Sequence, residues 1–193
     1  MRKARETRTT MKLAIVTALV LAAVLVVTNG NEVARAESAA GIDADVDAAL
    51  QTLYEEQPSA KMLADRAAAI LVFPNMVKAG FVVGAQYGEG ALLKKGRTVG
   101  YYRSVSASYG LQAGAQTFGY VLFLMTPSAV KYLNRSGGWE IGAGPSVVVA
   151  DEGVARSLTT TTLKSDVYAF IFDQQGLMAG IGLQGSKITK IRK

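Results

Sequence analysis

Three textures of apolar and polar residues follow one another along the chain. Leu13 to Val27 is apolar throughout except for Thr17. Residues 43–57, "DADVDAALQTLYEEQ", place Val46, Leu50 and Leu53 at helical spacing, which predicts an amphipathic helix. Pro58-Ser59 interrupts it, and Ser59 is a plausible N-cap for a second helix carrying Met62, Leu63 and the alanines 67–69. From residue 70 onward the period changes to two. Over 98–110, Val99, Tyr101, Arg103, Val105, Ala107 and Tyr109 share one face, and Thr98, Tyr102, Ser104, Ser106 and Ser108 share the other. That alternation predicts a strand. "AQTFGYVLFLM" fits a buried strand, and "SVVVA", "SLTTTTL" and "DVYAFIF" read as further strands rich in Val, Thr and aromatics. Between them, Thr126-Pro127 opens a short helix through about Arg135, with Thr as N-cap, Pro at N1, and Gly137 as its end.

Glycine punctuates this second half in a repeated way. "GFVVGAQYGEG" at 80, "GLQAGAQTFGY" at 110, "GWEIGAGPSVV" at 138 and "GLMAGIGLQGS" at 176 share glycines four residues apart. In a strand such glycines lie on one face and admit close backbone approach or sharp curvature. The last segment also contains Gly180, Gly182 and Gly185 in the spacing of a dinucleotide-binding turn. That turn must open a helix and be followed about 20 residues later by an acid. Only eight residues follow Gly185, none acidic, so no nucleotide cofactor is expected.

Composition changes the picture mainly at the N-terminus. Arg2, Lys3, Arg5, Arg8 and Lys12 precede the apolar run, and Ala34-Arg35-Ala36 follows it, the layout of a secretory signal peptide cleaved before Glu37. The run is short of the roughly 20 residues that span a bilayer; a retained anchor is the alternative. Six of the 21 basic and two of the 15 acidic residues lie in 1–36. The remaining chain therefore carries net +2 rather than +6, which removes the case for nucleic-acid binding. There is no cysteine and no histidine. Thiol and imidazole nucleophile chemistry and histidine-ligated zinc are thus excluded, and no enzyme activity is expected.

Few residues remain as candidates for chemistry. Asp43, Asp45 and Asp47 imitate the start of a calcium loop, but Ala48 and Tyr54 stand where that loop needs Gly and Glu. They are read as a solvated helix start. Glu55-Glu56 and Asp151-Glu152 are adjacent pairs that point apart and are read as surface. Cations cluster as Lys94, Lys95 and Arg97, and again as Lys187, Lys190, Arg192 and Lys193. These are either solvated tips or a surface for anionic headgroups. Arg103, on the apolar face of its strand, is expected in a partly buried ion pair or at a pocket rim.

"ILVFPNMVKAGFVVGAQYGEGALL", "GLQAGAQTFGYVLFLMT", "GGWEIGAGPSVVV" and "VYAFIFDQQGLMAGIGLQGSKITKI" together resemble the SYLF domain family over most of 60–191. The family includes phosphoinositide- and actin-associated eukaryotic proteins and exported bacterial ones. The resemblance implies an α+β domain in which N-terminal helices pack on a glycine-rich, mainly antiparallel, strongly curved or barrel-like sheet. It also implies lipid binding; export argues against actin.

The organisation expected is a signal peptide at 1–36 and one domain at 37–193, helical over 43–69 and β-rich over 70–193, with a helix at 127–135. The function expected is association with anionic membrane lipid through Lys94, Lys95, Arg97, Arg103, Lys187, Lys190 and Arg192. Apolar contact would come from the helix at 46–53 or the face of Tyr101 and Tyr109. The location expected is the periplasm or the outer membrane of a Gram-negative cell, or otherwise the exterior. A structural, self-assembling envelope protein is the alternative, and oligomerisation is left open.

Overall fold

The computed structural model describes residues 37–80, 83–109, 114–135, 137–150, 164–176 and 185–193, without the side chains of 108 and 109. The expected signal peptide at 1–36, the expected "SLTTTTL" strand, the Asp151-Glu152 pair and the glycines at 180 and 182 lie outside them. Ser38–Lys193 forms a compact unit of its own.

Helix α1 spans Ala39–Glu56 and α2 spans Pro58–Ala64. The first begins earlier than its acidic residues suggest, because the Ser38 hydroxyl accepts from Gly41 N at 3.1 Å and caps it. The second starts at Pro58, with Gln57 rather than Ser59 in the cap position. The strands are β1 (Ala69–Gly80), β2 (Val83–Lys94), β3 (Arg97–Tyr109), β4 (Gly114–Leu124), β5 (Trp139–Glu140), β6 (Val147–Val149), β7 (Val167–Gly176) and β8 (Lys187–Ile191). Helix α3 (Pro127–Leu133) stands between β4 and β5, with the Thr126 hydroxyl accepting from Ala129 N. The strands form one sheet in the order β5-β8-β3-β2-β1-β4-β7-β6. Every pairing is antiparallel except β6 with β7. The protein is α+β, with its N-terminal helices on a strongly curved, mainly antiparallel sheet.

Half of this sheet is buried on both faces. On one face Ile42, Val46, Leu50 and Leu53 of α1 cover Val72, Val121, Phe123 and Phe170. On the other, Ala129, Val130 and Leu133 of α3 and Trp139 cover Leu71, Leu92, Leu122 and the stacked rings of Phe73 and Tyr120. Two sites show why glycine is needed here. A Cβ on Gly90 would fall 1.9 Å from the Val72 carbonyl oxygen, and one on Gly119 would strike the Phe172 ring. The expected acidic helix start is not simply solvated: it tethers α1. Asp43 accepts from Thr98 and Tyr101 at 2.8 and 2.9 Å, and Asp45 from Asn75 at 2.6 Å.

Irregularities mark where this half ends. β1 carries one extra residue between Phe73 and Met76, and β7 one between Phe172 and Gln175. Pro74 sits in the first, which is how a residue without an N–H occupies an interior strand. Beyond the bulges the polarity reverses. Ser106, Gln86, Lys78 and Gln116 line up across β3, β2, β1 and β4 on the α3 face. Gln86, Lys78 and Gln116 are buried. On the α1 face, beside the strip that the helix covers, Val105, Tyr87, Val77 and Thr117 form one exposed row, and Ala107, Ala85, Ala79 and Ala115 the next.

The repeated glycine segments do not all become strands. "GWEIGAGPSVV" contributes only Trp139–Glu140 and Val147–Val149, with Gly138, Gly142 and Gly144 at positive φ in the turns between. After Gly185 the chain enters β8 rather than a helix, as a dinucleotide-binding turn would not.

Candidate functional site: the basic end of the sheet

The β2–β3 hairpin closes on Lys95 and Gly96, with φ of 50° and 71°. Two left-handed residues are what a tight, twist-matched turn requires, and Gly96 supplies the easier of them. Lys94 and Arg97 face each other across the strand ends, and all three cations are exposed. β8 runs antiparallel beside β3, with Ile191 opposite Tyr101 and Lys190 opposite Tyr102. Tyr101 is four residues, about 13 Å, from Arg97. A Cβ on Gly100 would lie 3.2 Å from Lys190 Cε, so this lysine lies over the start of β3. Lys94, Lys95, Arg97, Lys190 and Arg192, far apart in sequence, therefore share one end of the sheet.

Helix α3 adds two cations that the sequence pattern did not single out. The Tyr102 hydroxyl donates to Asn134 Oδ1 at 2.8 Å, fixing the end of α3 over β3, beside the strand that carries Lys190. Lys131 and Arg135 line a shallow cleft there of about 440 Å³, with Ser128, Tyr132 and Asn134. The Arg135 guanidinium stacks 4.3 Å from the Tyr132 ring centroid, which holds it in place.

The other two expected residues lie elsewhere. Arg103 is mid-strand, its Nη2 3.3 Å from Glu89 Oε1. Glu89 is the hub of a small network: Tyr87 donates to Oε1 at 2.8 Å, and Lys193 Nζ pairs with Oε2. Burial alone would raise the Glu89 carboxyl. Hydrogen bonds from Lys193 and Tyr87, the Lys193 charge and a bond from Arg103 outweigh it and hold the group below its ordinary value. Arg103 and Lys193 thus have their charges met within the protein. Lys187 begins β8, opposite Val105 and Glu140, away from the hairpin. Glu89 was legible only as one acid between glycines in "YGEG"; that Tyr87 and Arg103 share its face was the available signal.

The apolar contacts expected of this site need correction. Val46, Leu50 and Leu53 are all buried against the sheet, so the large apolar side chains of the helix at 46–53 face the core and not a membrane. Tyr101 gives its hydroxyl to Asp43, and the Tyr109 side chain lies outside the described residues. Val99 is the exposed apolar residue beside the basic turn, at 48 %, where the register of β2 and β3 slips. Among the described residues, no group of three His, Cys, Asp or Glu could hold a metal, and no helix is long and apolar enough to cross a membrane.

These features define an α+β domain with a positively charged end on an open, curved sheet. A family model, Ysc84, described as Las17-binding protein actin regulator, matches residues 105–193, from the middle of β3 through β8. The match covers somewhat less than half of the chain and is consistent with a member of the SYLF (Ysc84) domain family. No curated protein matches it.

Proposed function

We propose that this protein is an exported, non-enzymatic domain that attaches reversibly to anionic phospholipid at a membrane surface. The observation that carries this reading is the convergence of Lys94, Lys95, Arg97, Lys190 and Arg192 on one end of the sheet. The family's association with lipid and actin supports it. Each cation near an anionic surface contributes about 1 kcal/mol, so five give roughly 5 kcal/mol at low salt. Their exposure makes that attraction strongly salt-dependent. Val99 at the turn adds a small apolar contact, and Lys131 and Arg135 extend the charge onto α3. The signal-like pattern of residues 1–36 supports export from the cytoplasm, where an actin partner does not fit.

Cosedimentation of the 37–193 chain with vesicles tests this. Binding to vesicles containing anionic lipid, little binding to zwitterionic ones, and loss of both binding and salt dependence in Lys94→Ala/Lys95→Ala/Arg97→Ala are expected. Binding that ignores lipid charge would overturn the reading.

A further inference from the structure

The open half of the sheet carries a second surface, unrelated in position and chemistry to the basic end. Its α1 face is exposed: Val83 at 65 %, and Val77, Tyr87 and Val105 between 42 and 46 %. These side chains lie on three adjacent strands, β1 to β3, and beside them a row of four exposed alanines continues onto β4. These exposed apolar side chains are contiguous rather than scattered singly, the arrangement that a contact surface shows. Its charge is balanced rather than basic. Lys187 stands at the β8 margin, opposite Val105, and Asp173 at the β7 margin, bonded to Gln175. The basic turn lies at the far end of the strands, eight residues or about 26 Å from Val105. Arg103, stacked 5.6 Å from the Tyr87 ring centroid, is paired with Glu89, so the face carries no cluster of cations like the one at the turn.

The relief of the face points to its occupant. One row is bulky and the next is alanine, and both are set by strand register. A two-fold axis lying between the rows, across the strands, sets each bulky side chain over the alanine of the same strand in a second copy. Tyr87 would lie over Ala85 of the second copy, Val77 over its Ala79, Val105 over its Ala107 and Thr117 over its Ala115. The reverse contacts follow by symmetry, as an isologous interface requires. Tyr87 leans toward Glu89, which accepts its hydroxyl, and so also reaches the second copy's Val83. Sheets pack face to face at about 10 Å through interdigitation of this kind.

We infer that the open half of the sheet is a self-association surface, through which two copies pair face to face with both basic ends left free. The four-strand face is about 19 Å across and two rows deep, smaller than a standard interface. Association is accordingly weak and concentration-dependent. This holds whether or not the basic ends bind lipid, so it is tested without lipid.

Sedimentation velocity of the 37–193 chain from about 10 μM to about 1 mM should show the sedimentation coefficient rising from monomer toward dimer. Ala85→Glu, which alters an exposed position and should keep the parent thermal melt, should remain monomeric throughout. The chain has no cysteine, which allows a register test. An equimolar mixture of Ala85→Cys and Tyr87→Cys chains, treated with a short bismaleimide, should give the mixed dimer in excess over either homodimer. A sedimentation coefficient that never changes, a dimer indifferent to Ala85→Glu, or statistical cross-linking would overturn the inference. So would Ala85→Glu abolishing vesicle binding by a chain that is monomeric at every concentration, which would assign the face to the bilayer.

Discussion

The same strands pass through two environments, and the two halves of this sheet obey different rules. On the helix-covered side of the bulges, β1 and β4 are apolar toward both faces, because α1 lies on one and α3 with Trp139 on the other. On the open side, the α1 face bears Val, Tyr and Ala in solvent, while the α3 face buries Gln86, Lys78 and Gln116. A strand's alternation therefore tells which residues share a face, and only the neighbouring layer tells what that face is for. The covered half supplies stability; the open half and the basic turn leave their side chains to solvent.

Substitutions should separate the halves sharply. Gly90→Val places a side chain in the Val72 carbonyl and should leave no cooperative thermal transition, a loss above about 4 kcal/mol. Leu53→Ala, under α1, should lower stability by about 2–5 kcal/mol in urea titrations. Val83→Ala in the open half should stay within about 0.5 kcal/mol of the parent. Equal losses at Leu53 and Val83 would erase the distinction.

Two tyrosines on the α3 face sharpen it further. Tyr102 donates to Asn134, so Tyr102→Phe should cost about 1 kcal/mol. The Tyr120 hydroxyl is fully buried without a partner, and burial pushes its pKa far up. Tyr120→Phe should thus be neutral or stabilising by up to about 1 kcal/mol in the same titration.

The smallest effect expected is at the border between the halves. Glu89 titrates below its ordinary value in the folded chain. Its ionised form therefore stabilises the fold fully above the unfolded-state pKa, and that contribution is lost as pH falls through the folded value. The stability difference between the parent and Glu89→Gln should be present at pH 7 and shrink as the pH falls below about 4.5. A difference that grew on acidification would show the network does not favour the ionised form.

Much of the covered half could be read from the sequence. The spacing of Val46, Leu50 and Leu53, the Thr126-Pro127 helix start and the apolar run of β4 are local signals whose burial follows from periodicity. Arg103 in an ion pair was legible from a charge on an apolar face. What could not be read depends on register. The convergence of Lys190 and Arg192 on the hairpin turn arises because β8 pairs with β3, which no local pattern states. The polarity reversal arises because α1 ends its cover near the bulges. The apolar positions of α1 look equally suited to lipid or to a sheet until the sheet is seen beneath them.

Hydrogen–deuterium exchange of the 37–193 chain, with and without anionic vesicles at low salt, tests the division most directly. The expected result is slowed exchange at residues 94–99 and 189–193, none at 77–87, and no change with zwitterionic vesicles. Protection of 77–87 with none at 94–99 would contradict the account, because it would put the membrane against the open apolar face and leave the basic end idle.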